Sequence, residues 1–145
     1  MKGRVLALDP GEKRLGVAVS DETRTLARGL AVIRHVSLQE DCTAVLVLAR
    51  ENQADLIVVG TVLDENGEER PQTRHAKKLA ETLTNLSGLK TVLWDETDTT
   101  KQAWSIRKQS GASKQKRSGH LDEVAAALLL QSYLDSMNDK GEIDA

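Results

Sequence analysis

The chain has 145 residues, of which 39% are hydrophobic and 29% are charged, and its formal net charge is -2. This size and mix predict one globular domain and exclude a disordered or fibrous protein. The charge excludes a globally basic nucleic-acid binder, the short apolar runs exclude a membrane span, and the single cysteine excludes an internal disulfide.

The first part of the chain carries three strand-like segments. Apolar residues run continuously from Val5 to Leu8, and similar runs cover Gly16 to Ser20 and Leu30 to Ile33. Asp9-Pro10-Gly11 is a turn signal that ends the first run. Because the connections are short, we predict that these strands are antiparallel neighbours without helical crossovers.

The remainder of the chain alternates between helix and strand. Ser37 to Glu40 forms a capping box, which predicts a helix that runs to about Gln53. The later elements are a strand over Leu56–Val59, a helix from Pro71 to about Asn85, a strand over Thr91–Trp94, a helix over Thr99–Gln109, and a last helix over Leu121–Met137. This order predicts an α/β fold with a mixed five-stranded sheet, in which three antiparallel strands precede parallel strand and helix units, and helices cover both faces. We expect one domain over residues 1–135 and a charged tail over residues 136–145.

Acidic residues stand where two of these strands end. Asp9 follows the first strand, and Asp95-Glu96 follows the last one. Ligand sites gather at the carboxyl ends of parallel strands, so we expect these acids to converge. Asp122 opens the last helix, where the next residues include Ala125 and Ala126, which are small enough to let the helix pack close to the sheet. Taken singly, Asp9 also fits a turn cap, and Asp122 also fits charge compensation at a helix N-terminus.

Three or four convergent carboxylates repel one another unless a hard cation neutralises them. Oxygen ligands of this kind suit Mg²⁺ or Mn²⁺. Two such ions can activate water and stabilise the leaving oxygen in phosphodiester hydrolysis, so that no serine, cysteine or histidine nucleophile is needed. The acids therefore indicate a metal-dependent nuclease.

Positive charge is concentrated in one segment of this slightly acidic chain. Between Thr99 and Leu121 there is no acidic residue, and the segment contains six basic ones: Lys101, Arg107, Lys108, Lys114, Lys116 and Arg117. A local basic segment is a candidate footprint for a polyanion, although each residue also fits a solvated surface.

These motifs resemble those of the YqgF/RuvX family, whose members are described as Holliday junction resolvases and as nucleases that process the 5′ end of pre-16S ribosomal RNA. The resemblance covers nearly the whole chain. The matching segments are Asp9–Ala18, Ile57–Gly60, Asp95-Glu96 with Thr99-Thr100, and Asp122–Ala126 with Leu130–Leu134. The first and last segments are specific when taken together, whereas the middle two would be weak alone.

The resemblance implies a ribonuclease H-like fold with the first strand at its centre. It implies catalytic, metal-binding acids at Asp9, Glu96 and Asp122, with Asp95 as a further candidate ligand and Mg²⁺ or Mn²⁺ as cofactor. It also implies two groups of basic residues that contact nucleic-acid phosphates. The first is the basic pair after the first strand, and the second belongs to a basic loop before the last helix: Lys13 and Arg14, then Lys114, Lys116 and Arg117.

The chain departs from the family pattern at two places. Gly60-Thr61-Val62-Leu63 stands where the family usually has a loop that contains glycine and proline. Thr97 stands where the family usually has an arginine after its Asp-Glu pair. The second change puts in doubt a phosphate or carboxylate partner near the site, but it removes no metal ligand.

We therefore expect a cytoplasmic, metal-dependent endonuclease or exonuclease that processes the 5′ end of pre-16S rRNA in ribosome biogenesis, as a monomer or weak homodimer. A Holliday junction resolvase is the first alternative, although resolution needs a symmetric dimer and the sequence shows no clear dimer-forming apolar stripe. A non-catalytic module of the same fold that binds nucleic acid or the ribosome is the second. The Asp-x-Gly turn also resembles actin-like ATPases and sugar kinases, but those proteins close two large lobes around the nucleotide.

Other reactive or aromatic residues are expected to be structural. Cys42, Trp94 and Trp104 are predicted to fill the core. The three histidines are dispersed and form no ligand pattern, and His120 is the one that stands close enough to Asp122 in the sequence to carry a proton.

Overall fold

A computed structural model describes residues 3–62, 70–95 and 114–139, with the side chains of the last range described from residue 122 onward. In chain order the described elements are β1 (Arg4–Pro10), β2 (Arg14–Ser20), β3 (Ala27–Arg34), α1 (Leu38–Glu51), β4 (Ala54–Thr61), α2 (Pro71–Ser87), β5 (Lys90–Asp95) and α3 (Lys114–Asp139). The predicted helix over Thr99–Gln109 lies outside the described residues.

The five strands form one mixed sheet in the order β3-β2-β1-β4-β5. β2 pairs antiparallel with both β1 and β3, whereas β4 pairs parallel with both β1 and β5. The predicted three antiparallel strands followed by parallel units are therefore confirmed. The carboxyl ends of β1, β4 and β5 meet at one edge of the sheet, which we call the carboxyl edge.

Helices cover both faces of the sheet. α1 and α2 pack on one face, and α3 packs on the other. In β1, Leu6 and Leu8 enter the α1/α2 face, while Val5 and Ala7 enter the α3 face. Because both faces are covered, every residue from Val5 to Leu8 is apolar and buried, and this explains the continuous run that marks β1 in the sequence.

The starts of α1 and α2 follow local sequence signals. Ser37 is the N-cap of α1, and its hydroxyl accepts a hydrogen bond from the Glu40 N–H at 3.2 Å. α2 begins with Pro71 and ends before Gly88, whose φ of 77° lies in the left-handed region that favours glycine. Both starts agree with the prediction.

The last helix is longer than predicted. α3 begins at Lys114, not at Leu121, and it continues to Asp139, so Ser136–Asp139 of the expected tail are helical. The prediction placed the start at the first apolar residue, but lysine, glutamine and arginine are good helix formers without apolar periodicity. The helix is fixed to the sheet by Gln131, which accepts a hydrogen bond from the Ala27 N–H at 2.9 Å and donates one to the Thr25 carbonyl at 2.8 Å.

None of the helices within the described ranges has the length and the apolar character that crossing a membrane requires.

Candidate active site

Asp9 lies within the central strand, near the carboxyl edge. β1 extends through Asp9 to Pro10, two residues beyond the apolar run, and Asp9 is paired with Gly16 of β2. Side chains alternate along a strand, so Asp9 shares the α3 face with Val5 and Ala7. Asp9 therefore stands on the strand itself and not in the turn that follows it.

Gly16 brings α3 against the sheet beside Asp9. A Cβ atom placed on Gly16 would lie 2.1 Å from the carbonyl oxygen of Asp122 and 3.5 Å from the Cβ of Ala126. Only a glycine permits this approach. Asp9 faces Gly16 across one strand pair, where Cα atoms are roughly 4.5–5.5 Å apart. The structure therefore brings Asp9 and Asp122 together on the α3 face.

Small residues on both the helix and the strand allow α3 to approach the sheet. Of the two alanines that were expected to let the last helix pack closely, Ala126 is fully buried against the sheet, whereas Ala125 is only half-buried. Sequence reasoning missed Gly16, which is the decisive one. The signal was present, because a glycine inside a strand often marks a close backbone approach.

Asp122 does not stand at the start of its helix. It follows Lys114, the first residue of α3, by eight positions, so the alternative that Asp122 compensates the helix dipole is wrong. Its carboxylate Oδ2 instead accepts a hydrogen bond from the Arg14 Nε at 2.8 Å, in an ion pair whose side chains are 44% and 34% exposed for Arg14 and Asp122. Sequence reasoning did not find this pair, because its members are far apart in the chain.

Asp95 is the last residue of β5 and so lies at the carboxyl edge. β4 lies between β1 and β5, so the two outer strands are separated by about two strand spacings, roughly 10 Å. Asp95 is exposed and alternates with Trp94, which packs on the α3 face, so Asp95 belongs to the α1/α2 face. Glu96 lies outside the described residues.

The predicted phosphate-binding residues fall in two places. Lys13 and Arg14 stand at the turn between β1 and β2, where the Lys13 carbonyl accepts a hydrogen bond from the His35 N–H at 2.9 Å. The expected basic loop before the last helix is instead the beginning of α3, since Lys114, Lys116 and Arg117 are all helical. The side chains of these three residues lie outside the described part.

The donor set fits a hard divalent cation. Asp9 and Asp122 present carboxylate oxygens, which are the ligands that Mg²⁺ and Mn²⁺ prefer. No group of three metal-ligating side chains is found within the described ranges, and the third predicted acid, Glu96, lies beyond them. Both acids therefore have the chemistry that such a cation takes, and the Asp122 carboxylate is paired with Arg14 in this structure.

Trp94 and Cys42 were expected to be packing residues, and both pack against the interior. Trp94 packs edge-on against Tyr133 of α3, with ring centroids 5.3 Å apart. Cys42 is fully buried, and burial together with the neighbouring charge of Asp41 raises the pKa of its thiol to about 11. Neither residue is a base-stacking surface or a nucleophile. Trp104 and the side chain of His120 lie outside the described part.

The sequence of this chain matches one family model over residues 3–136, and the family is described as Holliday junction resolvase, RuvX. The chain belongs to the RuvX family. Its relatives include a protein of Syntrophus aciditrophicus, 39% identical over 94% of this chain and 91% of that protein. Another relative, from Caldanaerobacter subterraneus, is 38% identical over 94% of this chain and 99% of that protein. Both are provisionally named pre-16S rRNA nucleases.

Solved structures with the same fold are Holliday junction resolvases. Thermus thermophilus RuvC bound to a Holliday junction superposes with a TM-score of 0.60 at 18% identity and covers 97% of both chains. The fowlpox virus resolvase bound to junction DNA gives a TM-score of 0.57 at 16% identity, over 92% of this chain and 98% of that one. These matches confirm the ribonuclease H-like fold. The family model is described as a Holliday junction resolvase, and the relatives are provisionally named rRNA nucleases. Both descriptions are of nucleases, so family membership supports nuclease activity.

Proposed function

We propose that this RuvX-family chain is a metal-dependent nuclease whose catalytic acids are Asp9, Glu96 and Asp122. The observation that supports the proposal is the close contact of the Asp122 backbone carbonyl with Gly16, the residue of β2 that pairs with Asp9. Arg14 already balances the charge of Asp122, and a cation bound between Asp9 and Asp122 would add positive charge where the two acids approach each other.

The third acid follows from strand alternation. Trp94 packs on the α3 face, and Glu96 comes two residues later in the sequence. Side chains two residues apart in an extended chain share a face. We therefore propose Glu96 as the ligand that completes the site, and Asp95 as a residue of the other face.

Each group then has a distinct task. Asp9, Glu96 and Asp122 hold Mg²⁺ or Mn²⁺. A bound cation of this kind supplies positive charge that lowers the pKa of water and stabilises charge developing on the phosphate. Arg14 neutralises Asp122 and, together with Lys13, contacts the phosphates next to the cleaved bond. A second set of phosphate contacts comes from the start of α3, through Lys114, Lys116 and Arg117.

The substrate we propose is the 5′ end of pre-16S rRNA, in the cytoplasm. Support comes from the relatives that share more than a third of their residues with this chain and carry that provisional name. The Holliday junction is the second candidate, and it is favoured by the family description and by the junction-bound structures of the same fold. Cleavage of two strands requires a symmetric dimer, whereas cleavage at one 5′ end does not require a second subunit, so a monomer or a weak homodimer fits rRNA processing.

The first experiment compares cleavage of a 5′-extended rRNA precursor with cleavage of a four-way DNA junction, in Mg²⁺, in Mn²⁺ and in EDTA. We expect the wild type to cut with metal, and Asp9→Asn to lose at least about a hundredfold in rate, since a bound cation contributes several kcal/mol. Asp55→Asn is the matched control, because Asp55 lies near the start of β4, at the opposite edge of the sheet. Failure of the wild type on both polymers with every metal would leave the non-catalytic binding module.

A second comparison tests which acid after β5 takes part. Glu96→Gln should reduce cleavage as strongly as Asp9→Asn does, while Asp95→Asn should stay within about threefold of the wild type. Equal losses in the two variants would contradict the assignment by strand alternation. Sedimentation of the active protein, alone and with each substrate, then separates a monomer from the dimer that junction resolution needs.

A further inference from the structure

The carboxyl edge carries an arginine that neither the sequence motifs nor the proposed function uses. Arg34 is the last residue of β3, and it pairs with Arg14, the first residue of β2. Because β2 is antiparallel to both β1 and β3, the end of β3 lies at the same edge as the end of β1. Arg34 therefore stands at the edge where the proposed function places its acids.

The two arginines lie on the same face of the sheet. Ile33 packs on the α1/α2 face, so strand alternation places Arg34 on the α3 face. Arg14 is on that face as well, because its side chain reaches Asp122 of α3. Side chains that are directly opposite each other in an antiparallel pair have Cβ atoms roughly 4.5–5.5 Å apart. The two guanidinium groups can therefore contact one ligand together.

The two arginines differ in how their charges are balanced. Arg14 donates a hydrogen bond to Asp122 at 2.8 Å. The Arg34 side chain is exposed and forms no hydrogen bond or ion pair with any residue of the described ranges. Like charges that face each other across a strand pair destabilise the sheet. The pair thus carries one positive charge that no described residue neutralises, and a bound anion would relieve the repulsion.

Three acids in this part of the fold are held away from Arg34. The Asp41 carboxylate lies 2.5 Å from the Nδ1 of His35. Glu123 of α3 lies against the third residue of β3, which is five positions before Arg34. Glu12 lines a cavity beside α2 together with His35, on the other face of the sheet. The repulsion between the two arginines is therefore not relieved from within this part of the protein.

The charge changes sign along the carboxyl edge on the α3 face. Asp9 and Asp122 stand on β1 and α3, whereas Arg14 and Arg34 stand on β2 and β3. β1 and β3 are two strand spacings apart, roughly 10 Å, so one phosphate is too small to reach both ends of this row. Guanidinium groups are planar, and their N–H donors match the oxygens of a phosphate. A chain of several phosphates fits this row of acids and bases.

We propose that Arg34, together with Arg14, binds a backbone phosphate of the substrate that flanks the cleaved one, a proposal that rests on the nuclease function given above. The nucleic-acid chain then crosses the carboxyl edge from β1 toward β3, with the cleaved phosphate at the acids and the flanking phosphate at the two arginines. Phosphate contacts fix the register of a nucleic acid and read no sequence. Arg34 is thus a substrate-binding residue that aligns the chain on the acids.

The first test measures binding of a single-stranded RNA dodecamer to the full chain at several salt concentrations, in EDTA so that no cleavage occurs. Each phosphate contact that is lost from a single strand reduces the slope of log affinity against log salt by about 0.7. We expect Arg34→Gln to reduce the slope by about this amount and to weaken binding about threefold to tenfold. Arg34→Lys should restore the slope, because the charge is retained.

Arg28→Gln is the matched control, because it removes the same charge from the same strand. Arg28 is exposed, and it pairs with Val19, whose side chain packs on the α1/α2 face, so Arg28 lies away from the acids. We expect this variant to keep the slope of the wild type. Equal changes in Arg28→Gln and Arg34→Gln would reduce the effect to general attraction between charges and overturn the proposal, as would an unchanged slope in Arg34→Gln.

Urea unfolding separates binding from a structural role. Arg34→Gln should have the unfolding midpoint of the wild type or a higher one, because it removes a repulsion with Arg14 and no attractive contact. A lower midpoint would mean that Arg34 has a partner within the protein and would overturn the proposal.

A neutral linkage locates the contact on the substrate. One methylphosphonate replaces each phosphate near the cleaved bond of the rRNA precursor in turn, and kcat/KM is measured. We expect one flanking position to lower kcat/KM in the wild type and to cause no further loss in Arg34→Gln. Losses that add at every position would overturn the proposal. An inactive wild type would refute the nuclease function alone, since the salt slopes in EDTA still decide whether Arg34 binds phosphate.

Discussion

The contact between Gly16 and α3 makes a quantitative prediction for Gly16→Ala. The added Cβ would lie 2.1 Å from the Asp122 carbonyl oxygen, whereas real contacts of this kind stay above 3.0 Å, so the helix must withdraw by about 0.9 Å. The obstacle is backbone on both sides, so no side-chain rotation relieves it. The substitution thus moves Asp122 away from Asp9 without changing either acid.

Two magnitudes follow from this displacement. Overpacking of a well-packed core costs about 1–3 kcal/mol. For a chain near 150 residues this corresponds to a fall in melting temperature of roughly 2–4 °C per kcal/mol. A misplacement of about 1 Å in a catalytic constellation costs about a hundredfold in rate. We therefore expect a folded protein with a modest loss of stability and a large loss of cleavage.

Gly29→Ala is the matched control. A Cβ on Gly29 would lie 3.2 Å from Glu123, the next residue of the same helix, so a shift of a few tenths of an ångström accommodates it. Neither glycine has the positive φ that would add backbone strain, and any entropic gain from alanine is common to both variants. Urea unfolding and cleavage are measured on both. If the free energies of unfolding of the two variants agree within about 0.5 kcal/mol and their cleavage rates are equal, α3 does not contact Gly16 closely. The inference that this contact brings Asp122 near Asp9 would then be wrong.

Three further perturbations have defined outcomes. Arg14→Gln removes a half-exposed ion pair, so the free energy of unfolding should fall by less than about 1 kcal/mol. Calorimetry should show tighter Mg²⁺ binding because Asp122 loses a competing cation, and unchanged affinity would refute that competition. Ser37→Ala removes the N-cap acceptor of α1 and should cost about 1 kcal/mol in urea unfolding, where Ser37→Gly costs only a few tenths. The pKa of the Cys42 thiol is raised from 9.0 to about 11 by burial and by Asp41, so its contribution to stability is full below pH 9 and is lost as the pH rises toward 11. Cys42→Ala should lack that part of the pH dependence, and identical slopes would exclude the thiol as its cause.

The parts of the fold that the sequence predicted well are those with local causes. Each of these signals determines structure within a few residues of itself. The apolar runs mark β1 and β4, the Ser37 hydroxyl caps the start of α1, and the fixed φ of Pro71 suits the start of α2. All four elements lie where they were expected. The predicted start of α3 was wrong because the first turns of this helix lack an apolar stripe, and the prediction used such a stripe to locate the start.

The site was only partly predictable for a related reason. Asp9 and Asp122 were found because both lie in the two specific family motifs, although the structure places Asp9 within β1 and Asp122 eight residues inside α3. The features that join them were not: Gly16 under the helix, and the pairing of Arg14 with Asp122, depend on how a helix crosses a strand more than 100 residues away. Nor does the sequence show that the buried hydroxyl of Thr61 has no hydrogen-bond partner among the described residues, because a sequence shows donors and acceptors but not which of them are paired.

Two of the contacts that hold α3 on the sheet lie far apart along the helix. One is the contact of Gly16 with Asp122, beside the carboxyl end of β1, and the other joins Gln131 to Ala27, toward the amino end of β1. The eight residues from Lys114 to Leu121 come before the Gly16 contact and extend over roughly 12 Å at 1.5 Å per residue. A force on this first part of the helix is therefore transmitted to the Gly16 contact, and through it to the distance between Asp122 and Asp9.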